Sequence, residues 1–425
     1  MINSRSVEAV AQSSFGKQFC RPLYDSYCFS RIPGTVEFLL TGKGEKKLPL
    51  DTLIHPSKVY DQVILLFIDG FGWRFFEKYV SKYPFLERFV KQGVCSKLTS
   101  QFPSTTAAHV TCLNTGLEVG QSGVYEWFYY EPKVDQIIAP LLFSFGGDKQ
   151  PNTLKKSGIL PTEIYPTATV YQKLSRKNIS SYLIQYEGIV HSPYSETLMN
   201  GAKQLSYLDF SQALKHLSNL YQQTPDRKNY SILYWGEIDS MGHRYGVDSP
   251  EFEQAVDGCF RGLEETFNSL TNNPNKDIAW IVIADHGMIS VNPQNTFYLN
   301  LEMPEILSSF KTNREGKVIA PAGSCRDFFL HIKDNEVDTV KEKLRKRLKN
   351  RAEVYATKEL IDLGFFGNKV VSELFLDRVG NVVILPYAHE GIWWYEKHRF
   401  EQHFHGAHGG LSREEMETIF LFLET

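Results

Sequence analysis

Acids and imidazoles gather at three places in this chain, each where a short apolar run stops abruptly. The run 278–284 ends in Asp285-His286-Gly287, the run 63–68 ends in Asp69-Gly70, and the run 231–238 ends in Asp239, with His243 four residues on. Runs of this length, ended by a turn and rich in β-branched residues such as Ile281, Val282 and Ile283, predict buried parallel strands. Open α/β sheets place their ligands outside the carboxyl ends of such strands. Three strands that each finish on Asp, two of them supplying a His, therefore predict one metal site assembled from distant sequence, since mixed carboxylate and imidazole sets bind divalent cations. Asp239 and His243 share a face if their strand end turns into helix. His405 and His408 lie in a glycine-rich stretch, HGAHGG, where backbone freedom lets an imidazole approach a cation.

A candidate reactive group lies in the stretch from Pro103 to His109, PSTTAAH. Its Ser/Thr cluster predicts the N-cap of a helix over 107–114, closed by Thr115-Gly116. A hydroxyl there meets unsatisfied N–H groups and the positive end of the helix dipole, which favour an alkoxide and a bound phosphate. A neighbouring cation lowers a hydroxyl pKa much as it does for water.

The elements that must hold these groups alternate. Strands are predicted over 61–68, 94–98, 181–185, 230–238 and 278–284. Helices are predicted over 73–90, 167–177, 207–221 and 250–270. This pattern predicts an α/β fold, a mostly parallel sheet with helices on both faces. Residues 1–60 are turn-rich and read as an arm packed on the core. Residues 61–295 and 402–425, ending in a strand over 418–423, read as the catalytic α/β domain. Between them, 296–401 reads as a cap or insertion subdomain, with a strand over 326–332, a highly charged helix over 337–350 and a strand over 382–385.

The bulk numbers exclude some classes. Across 425 residues, 42% are hydrophobic and 22% charged, as in a soluble globular protein. A net charge of −3 argues against a nucleic-acid polymer or an anionic membrane as partner. The six cysteines are scattered without CxxC spacing and read as reduced thiols of a cytoplasmic protein. The first residues hold no apolar signal region and no run approaches the length of a membrane span. Nothing in these residues sets an oligomeric state.

Five motifs together resemble a known family: IDG (Ile68 to Gly70), FPSTT (Phe102 to Thr106), DSMGH (Asp239 to His243), ADHGM (Ala284 to Met288) and HGAHGG (His405 to Gly410). In this order they resemble the alkaline phosphatase superfamily, most closely its type I phosphodiesterase/nucleotide pyrophosphatase branch, over residues 60–290 and 403–425. The resemblance implies two divalent metal ions, with zinc the best match to the ligands and manganese an alternative. One ion would be held by Asp69, Asp285 and His286, the other by Asp239, His243 and either His408 or His405. The nucleophile would be Thr106 if the motif aligns from Pro103 to Gly116, or Thr105 if it aligns on His109; the ungapped frame favours Thr106. The family's spacing to Met416 favours His408 over His405. The implied activity is hydrolysis of a small phosphate ester through a phospho-threonine, with phosphodiesters or nucleotide pyrophosphates favoured and a nucleotide as a possible substrate.

The chain also departs from the pattern. Nucleotide pyrophosphatases carry an Asn after the nucleophile helix, where this chain offers Glu126 or Trp127. Trp127, Phe128 and Tyr129 are candidates to stack on a flat leaving group. A sulfatase C-x-P-x-R pattern is missing, because Cys20-Arg21-Pro22 continues as Leu23-Tyr24. HGGLSREEM (His408 to Met416) is similar to the tails of metal-dependent mutases, so a phosphomutase is the first rival reading. A catalytically silent metal-binding protein is the second.

Overall fold

The computed structural model describes residues 1–222, 228–270 and 277–425. Its centre is a seven-stranded sheet. The strands are β1 (Gln62–Ile68), β2 (Val94–Thr99), β3 (Ser180–Tyr186), β4 (Lys203–Tyr207), β5 (Asn229–Trp235), β6 (Ile278–Ile283) and β7 (Glu417–Glu424), in spatial order β2-β7-β6-β1-β5-β3-β4. β6, β1, β5, β3 and β4 run parallel, while β7 is antiparallel to both β6 and β2.

β1 lies in the middle because every one of its seven residues is buried. Val63, Leu65 and Phe67 join the core on one face, with Ala107 and Ala108 of the helix Thr106–Thr115. Ile64, Leu66 and Ile68 join the core on the other, with Leu217, Phe252, Val256 and Phe260. Each such side chain contributes roughly 1.5–3 kcal/mol, and a one-residue slip would exchange the two faces, so the register is held from both sides. Helices therefore cover both faces of a mostly parallel sheet, as the alternation predicts.

Several elements differ from expectation. The helix predicted over 73–90 is two helices, α1 (Trp73–Tyr79) and α2 (Pro84–Gln92), because Pro84 cannot continue a helix and instead opens the second one. The helix predicted over 207–221 starts only at Phe210, as α4 (Phe210–Gln222). Residues 203–207 form the edge strand β4, and Asp209 accepts the Gln212 N–H at 2.8 Å at the turn between them. The strand predicted to reach Ile238 ends at Trp235, and α5 (Glu237–Tyr245) begins at once.

Residues 1–60 contain helices Ser4–Gln12 and Ile32–Thr41. Between 322 and 386, strands Ala322–Ser324, Asp327–Leu330, Val382–Pro386 and Ala352–Ala356 form an antiparallel sheet in that spatial order. Phe328, Leu330 and Ile384 pack with the helix Val337–Arg347 into a separate core, while Phe329, Val383 and Leu385 on the opposite face join the main one. Among the described residues, no helix is long and apolar enough to cross a membrane.

Candidate active site

The parallel strands end level. Trp235 pairs with Ile68 and Ile283 pairs with Phe67, so Asp69 and Asp285 emerge side by side from β1 and β6. Asp285 Oδ1 accepts the Gly70 N–H at 3.2 Å, which ties the two strand ends together. On the other side of β1, Asp239 belongs to the first turn of α5, with His243 one turn further on. Gly70 turns at φ +71° and passes so close that a Cβ there would meet Asp239 Cβ at 3.1 Å; only glycine takes both that conformation and that approach.

Among the described residues, two groups of metal-capable donors result. Asp69, Asp285 and His286 form one, Asp239, His243 and His408 the other, and within each group one donor atom per residue lies within 4.8 Å of the rest. The first group is buried and the second half-buried. In the first, His286 Nε2 is 3.5 Å from Asp69 Oδ1 and 3.2 Å from Asp285 Oδ2. In the second, His243 Nε2 is 3.4 Å from Asp239 Oδ2 and 3.1 Å from His408 Nε2, and His408 Nε2 is 3.7 Å from Asp239 Oδ1.

The imidazoles fit cations rather than one another. Nδ1 of His286 faces the Gly287 carbonyl at 3.0 Å, Nδ1 of His243 faces the Gly406 carbonyl at 2.8 Å, and Nδ1 of His408 faces the Ser104 carbonyl at 2.9 Å. A carbonyl can only accept, so each Nδ1 carries hydrogen and each ring, once its Nε2 is deprotonated, turns that lone pair inward, the arrangement that orients metal-ligating histidines. Asp285 Oδ2 and Asp239 Oδ1, one in each group, are buried without a hydrogen-bond partner. Orphaned carboxylate oxygens facing inward lone pairs are the fit expected of two cation sites.

Charge in the centre is correspondingly unbalanced. Burial, then the charges of Asp285 and Asp239, push the Asp69 carboxyl well above its ordinary range. Burial opposes a charge on His286, but Asp285, Asp69 and Asp239 outweigh it and raise the imidazole to about 10. Burial, followed by the charges of His286 and His243, drives His408 well below its usual value. A divalent ion in the first group would take the place of the proton on His286.

Thr106 is the first residue of α3 (Thr106–Thr115). Its Oγ1 lies 3.4 Å from Asp69 Oδ1 and 3.2 Å from His286 Nε2. Thr105 is the N-cap one residue earlier, where its carbonyl faces His109 Nδ1 at 2.7 Å and its hydroxyl lies by Glu126 instead of the donor groups. The structure does not bring His405 to either group. Its side chain is exposed, while its backbone N–H is bonded to the His243 carbonyl at 2.8 Å. Thr106 also lines a cavity of about 500 Å³, with Asp69, Asp239, Trp127, Tyr186 and Tyr234 among its walls.

Residues 63–411 match the family model described as type I phosphodiesterase/nucleotide pyrophosphatase. The chain belongs to the type I phosphodiesterase/nucleotide pyrophosphatase family. This places it in the alkaline phosphatase superfamily, and the family is metal-dependent. Similar proteins include bis(5'-adenosyl)-triphosphatase ENPP4 of Pongo abelii, 22% identical over 58% of this chain and 51% of that protein. Another is the venom phosphodiesterase of Naja atra, 22% identical over 85% of this chain and 41% of its own length. The chain thus spans about half the length, or less, of these curated relatives. Among solved structures, murine ectonucleotide pyrophosphatase/phosphodiesterase 5, an inactive form in complex with AMP, aligns with a TM-score of 0.62 at 20% identity, covering 85% of this chain and 87% of that one. Phosphonoacetate hydrolase from Sinorhizobium meliloti aligns with a TM-score of 0.59 at 16% identity, covering 84% and 89%.

Within this phosphodiesterase-family fold, the stretch after helix α3 divides its residues differently from expectation. Trp127 is 37% exposed and lines the cavity, whereas Glu126 is fully buried and does not. Phe128 packs on Trp393 and Phe400, and Tyr129 stacks on Tyr125, so neither is placed to stack on a ligand. One contact escaped the sequence reading: the Tyr234 hydroxyl donates to Asp69 Oδ2. Its only signal was its place one residue before the end of β5, beside the end of β1.

Proposed function

We propose that this chain is a two-metal hydrolase of phosphate esters, phosphodiesters or nucleotide pyrophosphates foremost, acting through a phospho-threonine at Thr106. The observation that carries the reading is the Thr106 hydroxyl, set at a helix N-terminus in the cavity wall and within 3.4 Å of Asp69 and His286. Asp69, Asp285 and His286 would hold one ion, and Asp239, His243 and His408 the other. Zinc suits this donor set, and manganese is the alternative. When bound, the ions would supply positive charge that acidifies the Thr106 hydroxyl and offsets charge on the phosphoryl oxygens.

The remaining chemistry belongs to the chain. The Thr106 proton is directed at Asp69 Oδ1, while the oxygen attacks phosphorus in line and the bond to the leaving group breaks. The free N–H groups of the first turn of α3 face the phosphoryl oxygens. Water then cleaves the phospho-threonine and restores the hydroxyl. Trp127, in the cavity wall, offers an aromatic face to the ester group. The relative named as a bis(5'-adenosyl)-triphosphatase and the solved relative holding AMP support a small nucleotide as substrate.

Residues 296–401 serve as a cap on the catalytic domain formed by 61–295 and 402–425, and residues 1–60 as an arm packed on it. The separate core of the small sheet supports this division. All six cysteines are free and buried, which supports a reducing, cytoplasmic compartment. The test is metal analysis combined with rates on bis(p-nitrophenyl) phosphate and p-nitrophenyl phosphate. Monoester turnover far above diester turnover would overturn the substrate preference. Activity indifferent to chelation and to Asp285→Ala would overturn the mechanism.

A further inference from the structure

Two carboxylates beside the candidate active site take no part in it. Glu126 and Asp327 are both fully buried, and neither lines the cavity. Glu126 Oε2 accepts the Trp127 N–H, and Asp327 Oδ1 accepts the Ser324 N–H at 3.1 Å together with the Ser324 hydroxyl. The other oxygen of each, Glu126 Oε1 and Asp327 Oδ2, is buried with no hydrogen-bond partner.

Both carboxylates crowd the Cα of Gly409. A Cβ there would lie 2.5 Å from Ser324 Oγ, 2.8 Å from Asp327 Oδ1 and 3.4 Å from Glu126 Oε1, and Gly409 turns at φ +121°, so no other residue fits. Arg326 stands next to Asp327 in sequence, but its guanidinium is committed elsewhere. It meets Glu415 Oε1 and Oε2 at 2.9 Å each and the carbonyls of Tyr387 and Glu390. Two buried carboxylates side by side cannot both stay ionised without a closer counter-charge than His286.

We propose that Glu126 and Asp327 bind a further cation, a hard divalent ion of the magnesium class, behind the Thr105-Thr106 and His408-Gly409 turns. Its donors are oxygens alone: the two carboxylates, with the Ser324 and Thr105 hydroxyls beside them. Magnesium is held by one or two carboxylates that leave room for its waters, whereas the imidazole-bearing groups in front suit zinc. The position matters because this is where the nucleophile turn and the last histidine motif are laced together. Ser104 N–H donates to the Gly409 carbonyl at 3.2 Å, Ser104 Oγ donates to the Gly410 carbonyl at 2.7 Å, and Gly409 N–H donates to Ser104 Oγ at 3.2 Å. A cation here braces the residues on which Thr106 and His408 depend, and the inference stands whatever reaction they perform.

The experiment uses the whole protein, stripped by chelator, refilled with zinc and then exposed to magnesium. Metal analysis is expected to find one magnesium equivalent beyond the zinc. In the isosteric double variant Glu126→Gln/Asp327→Asn, that equivalent is lost and the zinc retained, and magnesium no longer raises the thermal midpoint as it does in the wild type. A wild type without the magnesium equivalent, or a double variant that keeps it, overturns the proposal. If the double variant does not fold, a manganese-soaked wild-type crystal decides: an anomalous peak between Glu126 and Asp327 supports the site, and its lack overturns it. Zinc content below two with the magnesium equivalent intact supports this site and counts instead against the Asp/His reading.

Discussion

The imidazoles of His286 and His408 stack with ring centroids 3.6 Å apart and planes 15° from parallel. One ring belongs to the buried Asp69–Asp285–His286 group, the other to the Asp239–His243–His408 group. The stack fuses the two groups into a single centre, and two protonated rings could not share it. Burial and the neighbouring imidazoles keep His408 neutral, while the carboxylates hold a proton on His286 until a cation replaces it.

That exchange predicts how metal affinity varies with pH. With His286 raised to about 10, an ion entering the first group must displace a proton throughout the neutral range. Affinity is expected to climb about tenfold per pH unit from pH 6 to 9, a slope that competition with a chromophoric chelator measures. A flat profile would show that His286 is not a ligand.

Removing the donors separates the two groups. Asp285→Ala and His243→Ala are each expected to lower the bound metal from two equivalents to one, with rates at least about 10³-fold lower. Elemental analysis of the folded variants checks the count.

Thr106→Ala is expected to cut turnover by about 10⁴-fold or more while both metal equivalents remain, because the proposed mechanism then loses its nucleophile but no ligand. Thr105→Ala, which touches neither group and removes no capping hydrogen bond, is expected to leave turnover within about tenfold of wild type. Intact-mass detection of a covalent phosphoryl adduct in wild type, absent from Thr106→Ala, identifies the nucleophile directly.

Tyr234→Phe removes only the hydroxyl that donates to Asp69 Oδ2. Such outer partners usually contribute 10- to 100-fold in metal affinity, and a loss of about that size is expected in the first group alone. Equal affinity in the two proteins would show that the contact is idle.

Acid stability offers a test that needs no bound metal. Burial, opposed only in part by Asp285 and the Thr105 carbonyl, lowers the His109 imidazole to about 4. The ring's folded pKa lies below its unfolded value, so its contribution is full above about pH 6.5 and is lost as pH falls toward 4. The loss is on the order of 3 kcal/mol. Denaturant melts of the metal-free protein between pH 7 and 4 should show it, and His109→Gln should flatten that part of the profile.

Much of the fold was legible because burial writes directly into residue type. β1, β6 and β7 are nearly unbroken apolar runs, and their ends fall within a residue or two of where the runs stop. The errors have local causes. The edge strand β4 reads KQLSY, half-exposed and without an apolar run, so it carried no signal. The 73–90 helix looked continuous because the apolar spacing persists through the break that Pro84 imposes. Phe128 and Tyr129 looked like Trp127, and only packing against Trp393, Phe400 and Tyr125 separates them.

By itself, the sequence determined which residues could do chemistry and that they follow strand ends, since strand periodicity and turn residues are local properties. The resemblance carried by the five motifs also implied both donor groups, with His408 or His405 in the second. Tertiary structure alone decided the choices between neighbours. Thr106 rather than Thr105 faces Asp69 and His286, and His408 rather than His405 meets His243. Each choice turns on a direction in space set by a helix start or by a loop pinned to Ser104, and the pairing of strands remote in sequence fixes that direction. The same pairing brings Glu126 and Asp327, some two hundred residues apart, against one glycine.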